Sequence, residues 1–582
     1  MNTKLLSCFI TAFISITSLS AQVFTTPPEI PVRTMAEWEE LQALVITWNP
    51  GGSGNAWRNI LTEIVRAARE ECKVIIVCSS QNTATAAENY LTSKNVDVSS
   101  NIEYLIAPNN KIWVRDYGPT SVYQNDVDSM ILIDWIYNRD RPADDIVSNY
   151  VGQMLNTPVH TTSTAPYDLV NTGGNFMSDG MGLAFASKLV FRNNDQIANG
   201  ETGGNDIFGT SNHDEAEIDN IMQEFMGIDR YIKMDELPYD GIHHIDMHMK
   251  LLDEETLLVG EYPSNTSDGP QIEANIQYVL SQFQTSYGHP FKLVRVPMPS
   301  FQGGNYPPYA GASSLYPTYA NAVFVNKTII MPSYNMAMDE AARDTFQKYM
   351  PGYKIAPVDC NSIIYSGGAV HCISKEIGVA DPLLILHSAL PCQDNSYSPG
   401  GYEIMAKIQH RSGISSARVF YTTDLHQTWQ TIDMQYVTQD TSDVWAVKIP
   451  TQLFGSTVYY YIEAVANSGK TFARPITAPE GYWSFCVTQS SAATEPVRVD
   501  MEAIYPNPAT AITVVPVQVD KRTPALINLV NVQGRIEETI FSGVLPTCKS
   551  QYYFDASKYT PGIYFINIEA GGKHLSQQVI IQ

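Results

Sequence analysis

Five segments in the first two thirds of the chain share one design, which limits the folds open to it. A glycine or polar residue enters a strand, a turn follows, and a second apolar strand returns. The segments are Asp116 to Trp135, Gly173 to Ala186, His244 to Val259, Ala320 to Met331 and Gly367 to Cys372. Helical stretches such as 56–70 lie between them. We therefore predict a ring of five α/β blades, whose inner strand ends bring residues distant in sequence to one axis.

The last third of the chain has a different pattern. The 582 residues are too many for one ordinary domain. Tyr/Thr/Val-rich runs such as 417–421 and 457–464, separated by turn residues, are typical of an antiparallel sandwich. The predicted organisation is an α/β domain at 22–385, an immunoglobulin-like β-sandwich at 386–488, a linker at 489–500 and a small C-terminal β-sandwich at 501–582.

The N-terminal 21 residues are typical of a secretory signal peptide. Lys4 precedes an apolar stretch, and small residues precede a predicted cleavage site ahead of Gln22. No later stretch reaches the ~20 apolar residues that a membrane helix needs, so no membrane span is predicted. The sequence therefore indicates an exported protein.

The charge balance restricts the partners of the protein. Sixty acidic residues against 36 basic ones give a net charge of -24. This charge disfavours nucleic acids and anionic membranes as partners and favours a cationic ligand.

The cysteines leave at least one free thiol. Removal of the signal reduces eight cysteines to seven, an odd number. Cys72 and Cys78 flank an apolar run and are predicted to be buried, unreactive side chains. Cys392 and Cys486 bracket the immunoglobulin-like segment, and the sequence leaves open whether they form a disulfide.

Four polar residues of the first zone suit the chemistry of a guanidinium group. The carboxylates of Asp116 and Asp246 could grip this planar cation through paired hydrogen bonds, with the ring of Trp113 against its face. A thiolate at Cys372 would attack the central carbon. His244 would protonate the departing ammonia and then activate a water molecule, which leaves a urea-type product.

Strand geometry gives an expectation about side-chain directions. Residues two apart on a strand share a face. If these segments are strands, His244 and Asp246 face the same way and His243 points away from them. By the same rule His371 lies opposite Cys372.

Other interpretations of these residues remain open. The cysteine could be buried and inert. Asp116 could pair with its neighbour Arg115 in a surface ion pair worth ~0–1 kcal/mol. His244, Asp246 and His248 could hold a metal ion, although no HExxH or CxxC pattern supports this.

The motifs of the first zone resemble a known family. WVRDYGP from 113, GGN from 173, HHIDMHMK from 243 and SGGAVHC from 366 occur in the order seen in the guanidino-modifying superfamily, whose fold is the five-bladed pentein α/β propeller. More narrowly, they resemble the bacterial peptidyl-arginine deiminases, relatives of the agmatine deiminases. The resemblance implies Cys372 as nucleophile, His244 as general acid/base, and Asp116 and Asp246 as guanidinium ligands. It implies no cofactor and no metal.

A further segment resembles the peptidyl-arginine branch of the family. There, two arginines two apart reach the terminal carboxylate of the substrate, and Arg139 and Arg141 match them. Asp140 departs from the family pattern, where proline is expected. The alternative is a solvated charge cluster with Asp140, Asp144 and Asp145.

Asn321 matches a family asparagine that helps to hold the substrate backbone. The Gly/Tyr/Pro-rich segment 302–319 before it would be a lid.

The tail resembles a second family. YPNPA from 505 and PGIYFINI from 561 are similar to the C-terminal sorting domain of the type IX secretion system. The resemblance implies type IX machinery as a partner, export through the outer membrane and attachment to the cell surface. A plain adhesive β module is the alternative.

Together these features predict a secreted or surface-attached protein-arginine deiminase. Its substrates would be peptides or proteins with C-terminal arginine, converted to citrulline and ammonia through a covalent thiouronium. An agmatine or free-arginine deiminase is one alternative, and a non-catalytic surface adhesin is another.

Overall fold

The computed structural model describes residues 22–51, 54–194, 209–263, 265–300, 306, 316–396, 398, 400–426, 428–438, 443–488, 497–547 and 549–582. The predicted signal peptide lies outside these residues. So do most of the predicted lid and most of the predicted linker.

The first zone, residues 22–385, mixes helices with strands. Its helices are α1 (Asn55–Ala68), α2 (Gln81–Ser93), α3 (Val114–Tyr117), α4 (Pro142–Asp145), α5 (Val147–Leu155), α6 (Leu189–Asn194), α7 (Glu215–Met226), α8 (Gly269–Gln282) and α9 (Met338–Tyr349). Its first ten strands are β1 (Val23–Phe24), β2 (Val32–Thr34), β3 (Leu41–Thr47), β4 (Lys73–Cys78), β5 (Ile102–Ile106), β6 (Thr120–Gln124), β7 (Met130–Asp134), β8 (Ile136–Tyr137), β9 (Val159–Thr161) and β10 (Val170–Asn171). Then follow β11 (Met177–Ser178), β12 (Leu183–Ser187), β13 (Arg230–Met234), β14 (Met249–Asp253), β15 (Thr256–Glu261), β16 (Lys292–Pro297), β17 (Val323–Val325), β18 (Thr328–Ser333), β19 (Lys354–Asp359), β20 (Lys375–Gly378) and β21 (Leu384–Leu386).

One pairing pattern recurs in five sheets of the described part of this zone. An antiparallel pair is followed by a parallel pair in β6-β7-β9, β11-β12-β13, β14-β15-β16, β17-β18-β19 and β20-β3-β4. The apolar runs of β3 and β4 are almost wholly buried, as expected for parallel strands covered on both faces.

Four of the five predicted hairpins are present, and the fifth prediction is wrong. Asn125, Asp126 and Asn326 take positive φ at the predicted turns of β6-β7 and β17-β18. Gly367 to Cys372 forms turns instead, and leads into β20. That strand pairs with β3 near the start of the chain, so the fifth sheet combines both ends of the zone. No local sequence pattern announces a partner more than 300 residues away.

The rest of the chain consists of strands and turns. The second zone continues β21 with β22 (Gln393–Asp394), β23 (Tyr402–Gln409), β24 (Ile414–Thr422), β25 (Gln430–Asp433), β26 (Gln435–Tyr436), β27 (Val444–Ile449), β28 (Thr457–Ala466), β29 (Thr471–Arg474) and β30 (Trp483–Thr488). The tail has β31 (Val499–Met501), β32 (Ile512–Val519), β33 (Thr523–Asn531), β34 (Ile536–Leu545), β35 (Lys549–Asp555), β36 (Gly562–Ala570) and β37 (Lys573–Ile581). Each zone has two main sheets and its own apolar core. A disulfide joins Cys392 to Cys486, which answers the question left open by the sequence.

The second zone is fastened to the first by ion pairs. Arg474 donates to both carboxylate oxygens of Glu254 at 2.9 and 3.0 Å, and Lys470 lies 2.6 Å from Glu40. Glu254 is in the turn between β14 and β15, whose hairpin follows the His244 motif. No helix within the described residues is long and apolar enough to cross a membrane.

Candidate active site

Cys372 is buried in the turn before β20, and its sulfur has two polar neighbours. The Asn321 amide donates to Sγ at 3.2 Å, and the thiol lies 3.7 Å from Oδ2 of Asp246. The cysteine is therefore buried, but it is not surrounded only by apolar groups.

Asn321 shapes the loop that carries this cysteine. Its Oδ1 accepts from the backbone N–H groups of Ala369, His371 and Cys372 at 3.1, 3.2 and 3.4 Å. The side chain is fully buried, so both ends of the amide serve the protein. A contact between Asn321 and a substrate backbone stays a prediction.

Asp116 and His244 form a second cluster from distant segments. Nδ1 of His244 lies 3.6 Å from Oδ1 of Asp116, which also accepts from the Gly174 N–H at 3.2 Å. The charge of His244 helps to lower the pKa of Asp246, and the charge of Asp116 helps to raise the pKa of Cys372. The structure thus gathers all four predicted catalytic residues into one electrostatic unit.

The strand argument for these side chains is wrong, although the residues do meet. Asp116 lies in α3, and Asp246 lies in a 3-10 helix, Ile245–Met247, that begins directly after His244. His371 was expected opposite Cys372, but both side chains contact Oδ2 of Asp246. The two-residue alternation of side chains applies only to extended backbone. Asp116 and Asp246 are in helical turns, and His371 and Cys372 are in a turn before β20.

Arg115 does not pair with Asp116, so the surface ion-pair alternative is wrong. Its guanidinium is buried and donates to both carboxylate oxygens of Glu376, at 2.8 and 2.6 Å. Its Nε donates to the carbonyl of His371 at 3.2 Å. Arg115 therefore ties α3 to the cysteine loop and leaves the Asp116 carboxylate directed elsewhere.

Two motif glycines permit close approach at the site. A Cβ on Gly368 would lie 2.6 Å from Sγ of Cys372 and 2.9 Å from the ring of Trp113. A Cβ on Gly174 would lie 2.4 Å from Nδ1 of His244. The glycines of the SGG and GGN motifs are thus explained by space, because a side chain at Gly368 would displace Cys372 and one at Gly174 would displace His244. The ring of Trp113 also packs edge-on against Trp57, with centroids 6.1 Å apart.

The charges of the site favour a bound cation. Burial, with the negative charges of Asp246 and Asp116, raises the pKa of the Cys372 thiol well above its usual value. Burial alone would raise the pKa of Asp246, but the hydrogen bond and charge of His371 lower it. Oδ1 of Asp246 and Nε2 of His244 are buried and have no hydrogen-bond partner in the described structure. A guanidinium would supply donors to the carboxylate and offset both negative charges.

Both nitrogens of His248 are also buried and without a partner, and burial lowers its pKa to about 4. In the part of the chain that the structure describes, no three His, Cys, Asp or Glu side chains are grouped to hold a metal ion.

Arg139 and Arg141 follow β8. Arg139 is exposed, and its charge acts to lower the pKa values of His243 and Tyr137. Arg141 donates to the Tyr137 hydroxyl at 3.1 Å. Neither arginine forms an ion pair with a described carboxylate.

The acidic residues beside these arginines contact backbone groups instead. Asp144 accepts from the N–H groups of Asn110 and Lys111, and Asp145 accepts from the N–H of Tyr137.

The comparisons with known proteins put this site in the class of the deiminases, which act on guanidino C–N bonds. The chain belongs to the Porphyromonas-type peptidyl-arginine deiminase family, whose model matches residues 33–377. Residues 503–582 match the secretion system C-terminal sorting domain, which confirms the second resemblance.

Relatives and solved structures agree with this family. The chain is 25% identical to a candidate agmatine deiminase of Pectobacterium atrosepticum over 391 residues, which cover 62% of this chain and 99% of that protein. The structure of the agmatine deiminase of Enterococcus faecalis superposes with a TM-score of 0.50 at 18% identity, covering 61% of this chain and 98% of that one. A candidate arginine deiminase from Porphyromonas gingivalis gives a TM-score of 0.50 at 19% identity, with coverages of 60% and 99%. At these identities the two structures indicate a shared fold.

Proposed function

We propose that this protein is a peptidyl-arginine deiminase that prefers arginine at the C-terminus of a peptide and releases citrulline and ammonia. The observation that carries the proposal is the convergence of one thiol, one imidazole and two carboxylates in a single buried cluster. The five recurring sheets would be the blades of a pentein propeller. The second zone would be an immunoglobulin-like sandwich, and the tail would direct export to the cell surface after removal of the signal peptide.

In the proposed reaction the guanidinium lies between Asp116 and Asp246, with Trp113 against its face. Oδ1 of Asp246, which has no partner among the described residues, accepts a charge-assisted hydrogen bond from the guanidinium. Such a bond is stronger where water is excluded. The arriving positive charge offsets the two negative charges that hold the Cys372 proton. The thiol then transfers its proton to the imidazole of His244, and the resulting thiolate attacks the central carbon.

Collapse of the tetrahedral adduct expels one nitrogen as ammonia, which takes its proton from His244. The product at this stage is a thiouronium on Cys372. Neutral His244 then removes a proton from water as the water attacks the same carbon. Loss of the thiolate leaves the urea group of citrulline and restores the free cysteine.

Preference for a C-terminal arginine would come from Arg139 and Arg141. Two guanidinium groups without carboxylate partners of their own can bind the terminal carboxylate of a peptide. Hydrogen bonds to a charged group contribute about 1.5–3 kcal/mol, or roughly a 10- to 150-fold preference. Agmatine carries no carboxylate and would lose this contribution.

The test is citrulline formation from three substrates: a peptide ending in arginine, the same peptide amidated, and agmatine. We expect the free peptide to react at least about tenfold faster in kcat/KM. The double substitution R139Q/R141Q should remove most of this preference and leave the amidated peptide almost unaffected. Arg343→Gln, at an exposed arginine on α9, is the matched control. Equal rates for the three substrates would contradict the role of the pair, and the absence of citrulline from all three would reject deimination.

A further inference from the structure

The imidazole of His371 bridges two carboxylates beside the proposed site. Its Nδ1 lies 2.7 Å from Oδ2 of Asp246, and its Nε2 lies 3.1 Å from both oxygens of Glu37. The ring is only 1% exposed. Glu37 in turn pairs with the buried ammonium of Lys250. Buried charges therefore alternate along the line Lys250, Glu37, His371 and Asp246.

Both ring nitrogens of His371 face hydrogen-bond acceptors. A neutral imidazole has one N–H, whereas an ionised carboxylate only accepts hydrogen bonds. Both nitrogens of His371 face carboxylates, and the pKa values of Asp246 and Glu37 are lowered despite the opposing effect of burial. The charge and the hydrogen bonds of the ring are among the causes that lower the pKa of both carboxyls.

The contact with His371 determines which oxygen of Asp246 can accept from a ligand. Oδ2 is held by His371, so Oδ1 is the oxygen left to accept from a ligand. The same residue is adjacent to Cys372, and its backbone N–H donates to Oδ1 of Asn321. His371 therefore links the Asp246 carboxylate, through its ring, to the loop that carries the sulfur, through its backbone. Glu37 holds the ring in this orientation.

We propose that His371 and Glu37 are positioning residues that keep Asp246 ionised and oriented to receive the guanidinium. The role of Asp246 as a guanidinium ligand rests on the proposed function. Among the described residues, the side chains of His371 and Glu37 form no hydrogen bond to Sγ of Cys372. They act through the Asp246 carboxylate.

Two probes of the thiol can measure this role with or without turnover. Chloroacetamidine and iodoacetamide both alkylate a thiolate, which displaces chloride from the first and iodide from the second. Only the amidine is a cation that a carboxylate can bind. The ratio of the two rates at Cys372 therefore reports amidinium capture at Asp246, and peptide mapping separates Cys372 from the other free cysteines.

The substitution His371→Gln keeps a hydrogen-bond donor of similar size and removes the charge. We expect it to lower the amidine-to-amide ratio at least about tenfold. Loss of the neighbouring cation should also raise the pKa of Asp246, so that the acid limb of kcat/KM, and of the ratio, moves up by about one to three pH units. The charged and titratable groups that surround Asp246, Glu37 and the sulfur in the wild type include His244, His248, Arg115, Asp240, Asp116, Lys250, Lys375 and Glu376.

Glu37 offers a graded series with a matched control. Glu37→Gln should move the acid limb in the same direction by less, and Glu37→Asp should restore much of the wild-type profile. Glu39 lies two residues away in the same loop and is equally buried, but it pairs with Arg33. Glu39→Gln should cost comparable thermal stability and leave the pH profile unchanged.

An unshifted acid limb and an unchanged ratio in His371→Gln would overturn the positioning role. Equal losses in Glu37→Gln and Glu39→Gln would do the same, because a general loss of stability would then explain both. If the wild type forms no citrulline while its ratio still depends on His371, the deiminase proposal fails and the positioning of Asp246 stands.

Discussion

The hydrogen bond from Asn321 to the sulfur can be inverted by one substitution. Asn321→Asp keeps the Oδ1 that accepts three backbone N–H groups, so the cysteine loop retains its template. The N–H that now faces Sγ becomes a carboxylate oxygen. A donor that favours the thiolate is thereby replaced by a negative charge that opposes it.

The size of the effect follows from the distance. Two unit charges 3.2 Å apart, the separation of Nδ2 and Sγ, repel by about 5 kcal/mol at an effective dielectric constant of ~20. Since one pKa unit corresponds to about 1.4 kcal/mol, the pKa of Cys372 should rise by roughly three to four. At a fixed pH below that pKa, the thiolate fraction should fall by about three orders of magnitude.

The assay is alkylation of Cys372 by iodoacetamide at pH 8, followed by mass spectrometry of the cysteine peptide. Asn326→Asp is the matched control. Asn326 lies at the turn of the same hairpin, and its amide is likewise bonded to backbone groups, but these belong to Leu41 and Glu71. Thermal melting of both variants gives the cost to the fold. If Asn321→Asp reacts at the wild-type rate, the sulfur does not sense position 321 and the site geometry is wrong.

Three further variants test the site and its supports. Cys372→Ala should abolish citrulline formation and move the melting temperature by no more than a few degrees, whereas loss of the folded state would favour an inert core cysteine. Glu376→Gln should lower the free energy of unfolding in urea by about 3–5 kcal/mol, because it leaves the buried Arg115 charge without its partner. Burial raises the pKa of Glu376, but the charges of Arg115 and Lys375 and the hydrogen bond from Arg115 together lower it from 4.5 to about 2. The wild type should therefore lose this stabilisation as pH falls from about 4.5 to about 2, and the variant should lack that part of the acid transition. Replacing Cys392 and Cys486 by serine opens a loop of 94 residues and should cost about 4–5 kcal/mol in the second zone, while citrulline formation persists; parallel loss of activity would show that the two zones do not act independently.

The identity of the residues that come together was predicted well from the sequence. The backbone geometry that brings them together was not. Motif order identified Asp116, His244, Asp246 and Cys372, and the structure brings them together. Strand alternation was the wrong geometry for them, because α3, a 3-10 helix and a turn present these side chains.

Local turn chemistry was the reliable part of the fold prediction. Asn125, Asp126 and Asn326 tolerate positive φ, and the hairpins at these positions are present. The pairing of β20 with β3 was missed because nothing local specifies it.

The Glu37–His371 bridge was missed for a related reason. Glu37 lies in a loop 334 residues before its partner, and a lone glutamate in a loop carries no signal of burial. The two glycines were visible as motif letters, but their purpose emerges only from the atoms that a Cβ would strike.

The pairing of β20 with β3 also decides when during synthesis the sulfur can become reactive. Cys372 is three residues ahead of β20, and Glu376 within β20 anchors Arg115 against the cysteine loop. A ribosome delivers β3 early and β20 more than 300 residues later. A nascent or still-extended chain therefore holds the acids, the imidazole and the thiol apart, and they come together when β20 pairs with β3. Any reactivity of Cys372 therefore follows the folding of the whole first zone and cannot precede it.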